Sequence, residues 1–341
     1  MSAEVYVLTG FLGSGKTTLM QRMLAHLKKR GGNVVVMMNE MGEEDVDGEQ
    51  LQGFGFPVRK MLDGCICCSI RGEMTNGLKE ILATFRPDQI LIETTGVADP
   101  IEVVDTLTHP ELVDALVVKG IVSVVDASRF IELNSRFQTS VALVKTIRNQ
   151  VKYADLLLLN KIDLAKEDTR SKVKSKLQEL NPHAPIHSTL HGEMDLEELL
   201  SVKRLAERAR DESWQDRAAT SSSQLQKSIG RFSPIAKLKH TLGMEAGPSL
   251  YHSIESFSYA FTGPVDSGKF ENFLYDLPKN VFRAKGYVLF AGQDNLISFQ
   301  HTDNQVHLIP FANFGPKMVA VFIGEGLDKE KIISDLESCY R

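Results

Sequence analysis

Gly10, Gly15, Lys16 and Thr17 fall at the spacing G-x-x-x-x-G-K-T, and Gly13, Ser14 and Thr18 complete the run. Such a loop holds phosphate. Its glycines let successive backbone N–H groups turn inward, and a following helix adds the positive end of its dipole. Lys16 would reach the β- and γ-phosphates, and the Thr17 hydroxyl would coordinate Mg²⁺. A second polar group, Asn160-Lys161-Ile162-Asp163, follows an apolar run directly. There an aspartate accepts both N–H donors of a guanine edge while Asn160 and Lys161 brace loop and base. Adenine offers no such pair, so the tetrapeptide selects GTP over ATP. Ser188-Thr189 lies after the next apolar run, where it either closes over the base or forms an ordinary turn. Glu93 ends another apolar run just ahead of Gly96. It stands where phosphate-loop enzymes place the acid that holds Mg²⁺ or its water, with Gly96 offering an N–H near the γ-phosphate. Asp126 also ends an apolar run, in a context that fits simple satisfaction of a loop.

Three of the four cysteines are packed into Cys65-Ile66-Cys67-Cys68, and Cys339 stands alone. This is no disulfide framework; it points to a reducing compartment and to thiolate chemistry at one place. Thiolates suit Zn²⁺ or a similar ion, and a tetrahedral site wants about four ligands. Three cysteines in four positions cannot all face one metal without a sharp bend, so two of them with an outside ligand is the expected arrangement. The acidic loop that contains Glu40, Glu43 and Glu44 supplies candidates. The other readings of the cluster are small buried residues and a redox pair. The nine histidines are scattered, without a histidine-rich tract.

The elements that must position these groups alternate along the chain. Apolar strands are expected at 5–8, 33–39, 89–93 (ahead of a turn at Gly96), 120–126, 155–160 and 185–188, with helices between them, one at 73–85. Leu19, Met20, Met23, Leu24 and Leu27 recur at helical spacing after the phosphate loop, and Gly31-Gly32 closes that helix. This alternation predicts an α/β fold with a mostly parallel, doubly wound sheet, its ligands at the strands' C-terminal ends. Leu196, Leu199, Leu200 and Leu205 suggest a closing helix. At 341 residues the chain exceeds one typical core. The expected domains are 1–211, a polar linker at 212–250, and a smaller α+β domain at 251–341. In the last, strands are expected at 253–261, 287–291, 296–300, 306–309 and 318–323, with helices at 269–277 and 328–338. A net charge of −5 argues against a broad nucleic-acid or anionic-membrane surface. No apolar run approaches the roughly 20 residues that span a bilayer. With the first strand beginning almost at once, no signal peptide is expected and the protein reads as cytoplasmic.

With these residues in place, the chain resembles the CobW-like metallochaperone GTPases, related to the hydrogenase- and urease-maturation GTPases. The matching pieces are residues 10–18, Asn39-Glu40-Met41-Gly42-Glu43, Gly64-Cys65-Ile66-Cys67-Cys68, residues 93–100, and Asn160-Lys161-Ile162-Asp163, with His191-Gly192-Glu193-Met194-Asp195 near the domain end. The resemblance implies a GTPase using GTP and Mg²⁺ that binds a transition metal, most often Zn²⁺, with Co²⁺ or another divalent ion open. It implies that Cys65, Cys67, Cys68 and loop carboxylates such as Glu40 and Glu43 carry the metal, and that a client metalloprotein receives it. Met41 departs from the phenylalanine frequent in relatives. Lys16, Thr17 and Glu93 are the expected catalytic set. No in-chain arginine finger is assigned, so slow turnover is expected, with acceleration by a partner or homo-oligomer left open. The competing reading is a regulatory GTPase switch whose cysteines are structural or redox-active.

Overall fold

The computed structural model describes residues 2–39, 55–61, 69–135, 139–204, 254–302, 305–311 and 317–340. The first part is a seven-stranded, wholly parallel sheet. Its strands are β1 (Ala3–Thr9), β2 (Val34–Asn39), β3 (Val58–Met61), β4 (Gln89–Glu93), β5 (Leu116–Asp126), β6 (Leu156–Asn160) and β7 (Ile186–Ser188), in the order β3-β2-β4-β1-β5-β6-β7. The continuous apolar runs follow from burial on both faces. In β1, Val5 and Val7 join one core layer and Tyr6 and Leu8 the other.

Helix α1 (Lys16–Arg30) buries Leu19, Met20, Met23, Leu24 and Leu27 in the second layer, and Gly31 caps it in the left-handed conformation. On the opposite face lie α2 (Ser69–Phe85) and α3 (Pro100–Leu107), which bury Met74, Leu78 and Ile81, and Val103, Val104 and Leu107. Helices α4 (Phe130–Leu133), α5 (Val141–Lys152), α6 (Glu167–Leu180) and α7 (Leu196–Leu200) complete this part. The expected closing helix is shorter than its leucine pattern suggested. Leu205, and the linker expected at 212–250, lie outside the described residues.

The second part is a five-stranded antiparallel sheet. Its strands are β8 (Glu255–Ala260), β9 (Val281–Leu289), β10 (Leu296–Thr302), β11 (Gln305–Phe311) and β12 (Val319–Gly324), in the order β11-β10-β9-β12-β8. Helices α8 (Ser267–Tyr275) and α9 (Lys329–Glu337) cover one face around Phe270, Phe299 and Phe322. The other face turns toward the first sheet, where Val321, Ile323 and Ile254 join the layer of α2 and α3.

Two strands depart from expectation. Sequence patterning places no strand at 58–61, because Val58-Arg59-Lys60-Met61 is short and half charged. Such a strand is tolerable at a sheet edge, where β3 sits. Strand β9 begins at Val281, six residues before the expected start at 287. Its first half carries Arg283 and Lys285, whose side chains are only 12 % exposed. Both bind Asp105 of α3, itself 2 % exposed, at 3.2 Å from Arg283 and 2.6 Å from Lys285. Arg204 pairs with buried Asp155 at 3.1 Å, and Lys152 of α5 with Glu325 at 3.0 Å.

Breaking a buried ion pair by removing one partner costs about 3–5 kcal/mol, because a charge is left stranded. Asp105→Ala is therefore expected to destabilise the chain by that order in urea unfolding. A loss below about 1 kcal/mol would show that water reaches both cations once the carboxylate is gone.

Candidate functional site

The groups singled out in sequence gather at the C-terminal ends of β1, β4, β5 and β6. The loop after β1 turns at Gly10, Gly13 and Gly15, all with positive φ. Gly15, with φ of 108°, tolerates no side chain, since a Cβ there would lie 2.4 Å from the Asn160 Nδ2. Asn160, 1 % exposed, explains that closeness. Its Nδ2 donates to Ser14 O at 2.9 Å, and its Oδ1 accepts from Thr189 Oγ1 at 3.1 Å and Gly192 N at 3.0 Å. One side chain thus joins the phosphate loop to the segment after β7. Ser188 ends β7 in an exposed position, while Thr189 is buried as a brace on Asn160.

Lys16 is 6 % exposed and donates from Nζ to Gly10 O at 3.0 Å and Phe11 O at 3.3 Å. The ammonium is held against the loop that would receive phosphate. Thr17 Oγ1 donates to Glu93 Oε1 at 2.8 Å. Glu93 is the last residue of β4 and 7 % exposed, so a hydroxyl and a buried carboxylate converge at the first turn of α1. Thr18 is exposed in that turn. Gly96 passes so close to the phosphate loop that a Cβ on it would lie 2.4 Å from Leu12 N.

Lys161 and Asp163 lie in the turn after β6. Lys161 adopts the left-handed conformation, φ 57°, and its Nζ pairs with Asp126 Oδ2 at 2.9 Å. Asp163 is exposed in a 3₁₀ turn at Ile162–Leu164, open to a base edge. Asp126 is thus the anchor of the lysine expected to brace the base. Burial works against its charge, but Ser128, through hydroxyl and backbone N–H, and Lys161 together hold its carboxyl below the usual range.

Sequence reasoning missed the supports behind Gly96. Gln150 of α5, 1 % exposed, donates to Gly96 O and Ala98 O, each at 3.1 Å. Asn149 donates to Asp99 Oδ2 at 2.7 Å, and Asp99 Oδ1 caps α3 by accepting from Ile101 N at 2.9 Å. The available signal was a glutamine three residues after buried Ile147, on the apolar side of a helix.

The expected metal ligands Cys65, Cys67, Cys68, Glu40 and Glu43, with Glu44, lie outside the described residues. Among the described residues, no group of three His, Cys, Asp or Glu side chains could hold a metal ion. Cys339 is buried, its Sγ lies 3.6 Å from Asp335 O, and burial pushes its thiol pKa up, which fits an inert core thiol. No helix among the described residues is long and apolar enough to cross a membrane.

Residues 4–188 match the family model described as CobW/HypB/UreG, nucleotide-binding domain, and residues 254–340 match that of the cobalamin synthesis protein cobW C-terminal domain. The zinc chaperone YjiA of Escherichia coli (strain K12) is 29 % identical over 345 residues, covering 96 % of each chain. The zinc-regulated GTPase metalloprotein activator 1 of Dictyostelium discoideum is 25 % identical over 332 residues, which cover 86 % of this chain and 64 % of that protein. Among solved structures, the Zn(II)-bound YjiA GTPase from E. coli covers 100 % of both chains at 24 % identity with a TM-score of 0.45.

Two outcomes follow from the geometry. Hydrogen bonds to a charged group are worth about 1.5–3 kcal/mol, so Asp163→Ala should weaken GTP binding about 10- to 100-fold in calorimetry and leave ATP binding unchanged. Asn160→Ala should weaken both, because it unties the phosphate loop itself. The lowered pKa of Asp126 means that its contribution to stability is full above the ordinary carboxylate range. That contribution fades as pH falls through the still lower folded value. Thermal melts from pH 6 to 2 should therefore fall less steeply below pH 4 in Asp126→Asn than in the parent chain.

Proposed function

The chain belongs to the CobW/HypB/UreG family of P-loop GTPases, and we propose that it uses GTP to control the binding and release of a transition metal, zinc foremost, for delivery to a client metalloprotein. The names of its relatives, a zinc chaperone and a zinc-regulated GTPase metalloprotein activator, support that reading. In hydrolysis, Lys16 would leave the Gly10 and Phe11 carbonyls to meet phosphate. The backbone N–H groups of residues 13–16 would stabilise charge on the transferring group. The Thr17 hydroxyl and Glu93 carboxylate, hard oxygen ligands already in contact, fit Mg²⁺. Bound there, the ion would neutralise phosphate charge.

One observation carries the link between nucleotide and metal. Strands β2, β4 and β3 end together: Asn39 pairs in register with Met61, and Met38 with Glu93. In sequence, the acidic segment follows Asn39 and the cysteine segment follows Met61. At these C-terminal ends β2 lies between β3 and β4, the strand that delivers Glu93. A metal shared by carboxylates of the one segment and thiolates of the other would then feel nucleotide state through the strand ends. The Cys-x-Cys-Cys ligands would have to be deprotonated, so occupancy should also fall in acid.

Zinc affinity measured against a chromogenic chelator should differ at least tenfold between GDP and a non-hydrolysable GTP analogue with Mg²⁺, about 1.4 kcal/mol of coupling. Equal affinities would leave a GTPase with a static zinc site. Undiminished zinc binding in Cys67→Ser combined with Cys68→Ser would remove the cysteines from the site and favour the switch reading.

A further inference from the structure

The segment that follows β4 is gripped by α5. Ala98 N donates to Thr95 O at 3.1 Å, so Gly96 and Val97 form the centre of a β-turn. Gln150 of α5 is 1 % exposed, and its Nε2 donates to Gly96 O and to Ala98 O, each at 3.1 Å. Both partners are acceptors, so the carboxamide nitrogen must face the turn, and both of its protons are used. Beside it, Asn149 donates to Asp99 Oδ2 at 2.7 Å. Two successive residues of α5 thus hold residues 96–99 at three points. The helix itself is fixed in place by Val144, Ile147 and Val151, all buried.

The same turn abuts the phosphate loop, since a Cβ on Gly96 would lie 2.4 Å from Leu12 N. In a trans peptide the N–H points away from the C=O. Carbonyls drawn to Gln150 therefore turn the N–H groups of Val97 and Asp99 away from it. Among the described residues, no acceptor meets the N–H of Gly96 or of Val97. Successive N–H groups of this kind, on a turn against the phosphate loop, suit an anion. A glycine at the centre of that turn would leave the peptide planes around it loose. Gln150 removes that freedom.

We propose that Gln150 is a positioning residue for GTP hydrolysis. By holding Gly96 O and Ala98 O it sets the peptide planes of the turn, so that the backbone N–H groups there are already aimed when a γ-phosphate arrives. It acts through the backbone and touches no nucleotide. GDP lacks the γ-phosphate, so the effect falls on GTP alone. The inference stands apart from the metal reading and rests on the expectation that Gly96 meets the γ-phosphate.

The test compares Gln150→Met, similar in volume but without a donor, with the parent chain. Affinities for GDP and for a non-hydrolysable GTP analogue are measured by calorimetry, and GTP turnover by phosphate release. The analogue is expected to bind about fivefold more weakly or worse, within the usual range for linked sites, while GDP stays within about twofold of the parent value. The fall in turnover is expected to appear in kcat and not in KM alone. Gln150→Glu supplies the rescue. Its carboxyl can donate only when protonated, so its ratio of analogue to GDP affinity should recover relative to Gln150→Met as pH falls from about 8 to about 5.5. Should Gln150→Met fail to fold, Asn149→Ala, at a partly exposed position, is read by the same ratio and should shift it in the same direction. Equal weakening of both nucleotides makes Gln150 a merely structural residue and overturns the proposal, as does an unchanged ratio. Gly96→Ala separates the two ways of failing. If it lowers the ratio while Gln150→Met does not, the clamp is wrong; if neither lowers it, the placing of Gly96 at the γ-phosphate is wrong.

Discussion

The buried amide of Asn160 is the interaction on which the nucleotide side of the molecule depends. It has one donor directed to the phosphate loop and an acceptor shared by two donors beyond β7. Buried polar atoms are costly unless paired, so these contacts fix the distance between two loops separated by more than a hundred residues. Gly15 is required for the same reason, since any side chain would strike that amide. The parallel sheet supplies the rest. Because β1 and β6 run in one direction, the phosphate loop and the Asn160 turn leave the sheet at the same edge.

A second constraint joins the two sheets. A buried ion pair is weak evidence of stability by itself, because desolvation consumes much of its attraction. Asp105 instead supplies specificity: one carboxylate satisfies two cations of β9, which no apolar contact there could do. The helix bearing it begins at Asp99, itself tied to Asn149, just beyond the Gly96 segment that Gln150 supports. A shift at Gly96 of the kind a γ-phosphate imposes must therefore be absorbed within three residues or transmitted along an eight-residue helix to β9. Packed interfaces respond to such shifts in discrete steps.

What was legible in sequence is what physics ties to local pattern. The phosphate loop, Glu93, the Asn160 tetrapeptide and the double-wound alternation each carry their own spacing. What was not legible depended on tertiary contact. Strand β3 is too short and too charged to show periodicity. The first half of β9 lay outside the expected strand, and its Lys285 finds a carboxylate 180 residues away in sequence. Asp126 looked like a loop filler until Lys161 was seen on it. Gln150 and Thr189 give only the weak signal of a polar residue where an apolar one would pack. The cysteine cluster is the reverse case. Its residue types announce thiolate chemistry, but it lies outside the described residues, and only the pairing of Asn39 with Met61 at the ends of β2 and β3 bears on it.

That register bears on how a metal carrier should be built. A closed site of four rigid ligands holds zinc without regard to nucleotide, and such a site serves structure. A carrier must instead lose affinity on command, which requires that ligands sit on segments whose positions a second ligand controls. Carboxylate and thiolate candidates that follow two adjacent strands in sequence would meet that requirement. Neither segment alone supplies the mixed set, and of the two strands that they follow in sequence, β2 pairs with the strand that delivers Glu93 and β3 pairs with β2. By linkage, whichever nucleotide draws the two segments into the metal-binding arrangement must itself be bound more tightly when metal is present. On this reading the sheet edge is the coupling device, and hydrolysis only selects which arrangement it holds.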